Sequence, residues 1–78
     1  MAELLAFLAA ELVDDPAAVR VETVERDGAT ILLLHVSPDD VGKVIGRGGR
    51  IVRALRTVIN AAAATATFGR RVSVEIAA

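Results

Sequence analysis

Apolar residues recur at helical spacing at the start of the chain, at Leu4, Leu5, Leu8 and Leu12, with Glu3 and Glu11 off that stripe. This predicts an opening amphipathic helix. Asp14-Asp15-Pro16 ends it, because a residue before proline is driven out of helical geometry. From Val19 the period shortens to two: Val19, Val21 and Thr23 fall on one side, Arg20 and Glu22 on the other. A strand with one wet face follows. Val24 breaks the phase, which suggests a bulge. Asp27-Gly28 is a hairpin signal, since both central positions of a type I′ turn need φ > 0, and it leads to a second, antiparallel strand from Thr30 to Val36.

Ser37-Pro38-Asp39-Asp40 reads as a helix start, with Ser37 as N-cap and Pro38 in the first turn. The two acids are well placed against the dipole of a short helix running to about Ile45. Beyond the glycines, Ile51, Leu55, Val58, Ile59, Ala62 and Ala66 predict one apolar face of a long helix, with Arg50, Arg53, Thr57 and Asn60 across from it. Gly69 is its expected stop. Val72, Val74 and Ile76 alternate with Arg71, Ser73 and Glu75 in a third strand. The order is α-β-β-α-α-β. Two helices are long enough to cross between parallel strands, so the expected fold is α+β: a two-layer sandwich whose three-stranded mixed sheet is covered on one face by helices. The uninterrupted run Ile31-Leu32-Leu33-Leu34 marks the central strand.

The 78 residues make one small domain, 1–78, with no room for a second. Absent cysteine excludes disulfides and thiolate metal sites. The apolar stretch from Leu4 to Val13 is interrupted by Glu11 and falls far short of the roughly 20 residues of a membrane span. With no signal-like beginning, the cytoplasm is the expected location. The net charge of −1 argues against a general polyanion binder. It conceals a segregation, because five of the nine cations lie between Lys43 and Arg56 with no acid among them, while seven acids load the stretch from Glu3 to Asp27. A positive patch on an acidic body favours contact with a few phosphates.

That patch coincides with the glycine turn Gly46-Arg47-Gly48-Gly49. Glycine lets the main chain approach a ligand closely, and the first N–H groups of the following helix point out as unpaired donors that an anion satisfies. Other glycine loops fail on spacing. No Gly-Lys-Ser/Thr exists for a Walker A loop, and a dinucleotide fingerprint starting at Gly46 would need glycine where Ile51 stands. A plain helix-turn-helix connection explains the glycines but not the flanking cations.

Val44-Ile45-Gly46-Arg47-Gly48-Gly49-Arg50-Ile51 resembles the KH-domain signature, an apolar pair followed by G-x-x-G, two residues and an apolar one. The element order resembles the type II version of that fold, and the whole chain is similar to the short, single-domain bacterial KH proteins of the KhpA family. The resemblance implies single-stranded RNA as ligand, about four nucleotides of it, with the backbone clamped by the loop and the bases in an apolar groove. Carried over by residue, it implies Gly46, Arg47, Gly48 and Gly49 as the clamp and Lys43, Arg47, Arg50 and Arg53 as phosphate contacts. Of Val44 and Ile45, one should line the groove and the other the core; Ile51 is expected in the core. Gly48 departs from the polar or charged residue often found there, which makes the clamp less basic. Only Phe7 and Phe68 are aromatic, so base stacking is not expected.

The resemblance also implies an RNA chaperone or post-transcriptional regulator of low sequence specificity, acting as a homodimer or with a larger KhpB-like KH partner. A protein-interaction scaffold with little RNA binding is the alternative. Thr57, Ala61 and Ala64 form a strip of small residues outside the core face of the long helix and are candidates for a dimer surface. Arg50, Arg53 and Arg56 read equally well as a solvated helix face, Arg50 being the first candidate for contact and Arg56 the last. His35, the single histidine, reads as a satisfied or edge residue, so no metal is expected. No cofactor or enzymatic activity is expected either, because no nucleophile is accompanied by a base and an orienting group.

Overall fold

A computed structural model describes residues 1–66 and 71–77. Helix α1 spans Ala2–Leu12 and is followed by a 3-10 turn at Pro16–Ala18, then strands β1, Arg20–Arg26, and β2, Ala29–His35. A second 3-10 turn at Pro38–Asp40 leads into α2, Val41–Ile45, and a third at Arg47–Gly49 joins α2 to α3, Arg50–Ala66; β3 is Val72–Ile76. The described strands form a mixed sheet in the order β1-β2-β3. β1 is antiparallel to β2 and β3 is parallel to it, so the two-helix crossover expected between β2 and β3 is present. The expected helix stop at Gly69 lies outside the described residues, as do the side chain of Ala66 and the aromatic Phe68.

The hairpin follows its sequence signal, with Asp27 at φ 51° and Gly28 at φ 77° closing Arg26 onto Ala29. No bulge occurs at Val24. The register runs one to one from Arg20↔His35 to Arg26↔Ala29, which puts Val24 opposite Ile31. In an unbroken strand this places Val24 with Ile31 and Leu33 on the face away from the helices. The broken alternation therefore reflects a small apolar cluster on the open face, where cross-strand pairing stabilises the sheet. Leu32 and Leu34, on the other face, are buried beneath the helices. Burial on one face and half-burial on the other account for the continuous apolar run of β2.

The core unites Leu5 and Ala9 of α1, Leu32 and Leu34 of β2, Val44 of α2, Leu55, Ile59 and Ala63 of α3, and Val72 and Val74 of β3. Helix α3 is rotated from the face its apolar spacing predicts. Val52, Leu55, Ile59 and Ala63 point inward, whereas Ile51 and Ala62 are half-buried and Val58 is 45% exposed. An open apolar groove of about 290 Å³ remains between α1 and α3, lined by Leu8, Glu11, Leu12, Ile51, Ala54, Leu55 and Val58. Ser37 stands at the N-cap position before the second 3-10 turn but makes no side-chain cap; instead the Asp40 amide donates to the Ser37 carbonyl at 2.8 Å. Among the described residues no helix is long and apolar enough to cross a membrane.

The rotation of α3 is checked by truncation. Ile59→Ala is expected to destabilise the protein by about 2–5 kcal/mol through lost burial and a cavity, and Val58→Ala by less than about 1 kcal/mol. Urea unfolding of both variants measures the difference; equal losses would restore the face predicted by spacing.

Candidate nucleic-acid interface

α2 ends where the chain turns through Gly46, at φ 76° and ψ 171°. A side chain is impossible here, since a Cβ on Gly46 would stand 2.9 Å from both the amide nitrogen and the Cβ of Ile51. The Gly46 amide closes α2 by donating to the Gly42 carbonyl at 2.9 Å, and the Gly49 amide donates back to the Gly46 carbonyl at 3.1 Å. Between them Gly48 sits in the left-handed region, φ 63° and ψ 17°, with nothing within 4 Å of where its Cβ would be. Arg47 and Gly48 are exposed at the tip, and Gly46 and Gly49 are half-buried at the base. The turn thus presents open main chain at the N-terminus of the 17-residue helix α3, where unpaired N–H groups and the positive end of the dipole favour an anion.

Arg47, Arg50 and Arg53 surround this turn and are exposed, and no described carboxylate lies within ion-pair distance of any of them. Lys43 is placed differently. Its Nζ lies 3.1 Å from Asp14 Oδ2 and 3.4 Å from Asp40 Oδ1, so in the free protein its charge is taken up by two acids. Arg56 is turned back to the sheet, where Nε donates to the Val74 carbonyl at 3.1 Å. The cations free to meet an anion at the turn are therefore the three arginines at 47, 50 and 53.

The apolar pair divides between two environments: Val44 is wholly buried and Ile45 is 36% exposed next to the turn. Ile51 is half-buried, packed against the core and lining the groove between α1 and α3. Thr57, Ala61 and Ala64 are exposed along the outer side of α3, and the Thr57 hydroxyl donates to the Arg53 carbonyl at 3.0 Å. His35 is satisfied by Glu22, with Nε2 3.1 Å from Oε1. The described residues contain no group of His, Asp and Glu arranged to hold a metal ion.

Asp40 has a part that its place at a helix start does not convey. Its carboxylate is 2% exposed and accepts from the Asp15 amide at 3.1 Å, tying the connection after α1 to the start of α2. The only local hint is its i,i+3 spacing to Lys43. The amide partner lies 25 residues away, beyond any local pattern.

The family model described as KhpA/KhpB, KH domain, matches residues 2–76. Among curated proteins the chain is 49% identical over 74 residues to the RNA-binding protein KhpA of Borreliella burgdorferi, covering 95% of this chain and 88% of that protein. It is 50% identical over 76 residues to the RNA-binding protein KhpA of Clostridium acetobutylicum, covering 97% and 99%. The protein of the same description from Aquifex aeolicus is 42% identical over 74 residues, covering 95% and 91%. No solved structure matches significantly.

The electrostatics around Asp40 carry a stability consequence. Burial disfavours its charged form, but the amides of Asp15 and Asp14 and the Lys43 ammonium together outweigh that and hold its pKa below the ordinary carboxylate value. Hydrogen bonding to Asp14 and Asp40 raises the pKa of Lys43. A lowered carboxylate pKa contributes stability above its unfolded value that is lost as pH falls through the folded one; a raised lysine pKa contributes below its unfolded value and is lost as pH rises through the folded one. Stability should therefore decline below about pH 4 and again above about pH 10.5. In thermal melts across pH, Asp40→Asn is expected to be less stable at neutral pH and to lose part of the acid-side decline; an unchanged acid limb would show that Asp40 is not its source.

Proposed function

The chain belongs to the KhpA/KhpB KH-domain family, and we propose that it binds single-stranded RNA through the Gly46-Arg47-Gly48-Gly49 turn. The observation that carries the reading is the open main chain at Gly48, set at the start of α3 among three arginines with no described carboxylate partner. The RNA-binding description of its relatives supports RNA as the polyanion. Phosphates of about four nucleotides lie along the turn, held by amides and by Arg47, Arg50 and Arg53, while Ile45 offers apolar contact to a base. Lys43 has a lesser place in this set, because its charge is already matched.

With three charges engaged and no aromatic residue between Gly42 and Arg53, the module has modest affinity and little base discrimination. It acts as an RNA chaperone or post-transcriptional regulator in the cytoplasm, as one domain per chain, and gains avidity from a second copy or a KhpB-like partner. The exposed strip of Thr57, Ala61 and Ala64 supports association through α3, because small residues let another helix approach closely. The scaffold reading rests on that same strip.

Arg47→Asp with Gly48→Asp tests the clamp. Asp tolerates the left-handed conformation better than most residues, and no atom lies near the new Cβ, so the fold should persist. In a titration with labelled single-stranded RNA, binding is expected to weaken at least ~10-fold, and the wild-type dependence of log K on log salt to have a slope of roughly −2, about −0.7 per phosphate neutralised. RNA binding unchanged in a folded double variant would remove the assignment. For the association surface, Ala61→Trp is expected to convert dimers to monomers by light scattering at equal concentration, whereas an unchanged mass would exclude this strip.

A further inference from the structure

One cation close to the turn is held away from it. Lys43 precedes Gly46 by three residues, so about one helical turn separates it from the glycines, yet its ammonium is shared between Asp14 and Asp40. The two carboxylates differ in kind. Asp40 is buried and also accepts from the Asp15 amide at 3.1 Å, so it keeps a hydrogen-bond partner without the lysine. The Asp14 side chain is 82% exposed and that of Lys43 is 43% exposed. An exposed ion pair is weakly held, because water solvates both partners and salt screens them. A phosphate is an acceptor of the same charge type, and lysine carries its donors on a flexible stem that can turn to it.

We infer that Asp14 is a charge brake on the glycine turn: it holds Lys43 on the acidic side of α2, in competition with the RNA backbone for the same ammonium. The inference rests on the RNA-binding reading. Lys43 joins Arg47, Arg50 and Arg53 only by leaving Asp14 and drawing away from Asp40, which keeps the Asp15 amide, so RNA affinity is lower than four cations would give. Asp14 is thereby a positioning residue for the anion site, although it lies in the connection after α1 and touches no part of the turn.

The test is a double-mutant cycle read as affinity for a labelled single-stranded RNA at two salt concentrations, with Asp14→Asn, Lys43→Met and both together. Asp14→Asn is expected to tighten binding by ~3- to 10-fold and to steepen the salt slope by about 0.7, the share of one added phosphate contact. Lys43→Met alone is expected to weaken binding less than Arg47→Asp does, because a braked lysine contributes only part of its charge. The double variant should return to the Lys43→Met value. A gain from Asp14→Asn that persists without Lys43 would reduce the effect to general removal of negative charge and overturn the inference. So would a loss from Lys43→Met as large as that from Arg47→Asp. If no variant, wild type included, binds RNA, the RNA-binding reading fails by itself. The brake is then read from inorganic phosphate titrated onto the amide resonances of Gly46 to Gly49. The same ordering of variants would support it, and identical titrations would overturn it.

Discussion

The contact between Gly46 and Ile51 fixes the geometry on which the site depends. Because Gly46 has no Cβ, the end of α2 can lie against the first turn of α3, closer than any other residue would allow. That approach brings Val44 and Val52 into burial on either side of the turn. It also leaves the residues between them no route but outward, so Arg47 and Gly48 form an exposed tip. The same absence of a side chain therefore packs the two helices and bares the backbone of the turn. The proposed function and the fold are coupled at this position and separable at Gly48, where a Cβ would meet nothing within 4 Å.

Charge is arranged with comparable economy. A domain of this size has little core with which to offset a buried ion, and Asp40 is the one buried polar or charged residue among those described. It is tolerated because its oxygens meet the Asp15 amide, in the connection after α1, and the Lys43 ammonium. The acids around the connection after α1 absorb Lys43, leaving the three arginines of the turn unpaired by any described carboxylate. Positive charge is thus concentrated at the turn although the chain as a whole carries −1. Such a distribution draws a polyanion to one place and disfavours coating of the rest.

What could be read from sequence was what local chemistry dictates. Asp27-Gly28 announced a turn that needs φ > 0 twice, and Gly46 to Gly49 announced a turn whose glycines take up φ > 0; both depend on residues adjacent in the chain. The parallel pairing of β2 with β3 followed from the length of the crossover. The errors arose where packing between distant elements decides. Spacing within α3 defined an apolar sector wider than the part the core uses, and only the position of the sheet selects Val52 and Ala63 over Val58. Val24 looked like a defect in alternation because β1 alone was read with one wet face, and its partner across the sheet, Ile31, lies in a different strand. Lys43 sits in a run of cations, and its neutralisation by Asp14 is invisible until the end of α1 is placed beside α2.

These long-range contacts also explain why a family signature is a better guide to the backbone of the site than to its charges. G-x-x-G specifies a path of the main chain, and that path depends on two or three glycines whatever surrounds them. The electrostatic content of the loop depends on which cations the rest of the fold leaves uncompensated, and here one of the four that flank it is already engaged. With single-stranded RNA each phosphate contact changes the salt slope by only about 0.7. On the proposed reading, the difference between three and four free cations is therefore a large fraction of the charge that so small a turn brings to a phosphate backbone. A residue outside the signature, Asp14 in the connection after α1, thus decides how much of the Lys43 charge is left uncompensated beside the turn.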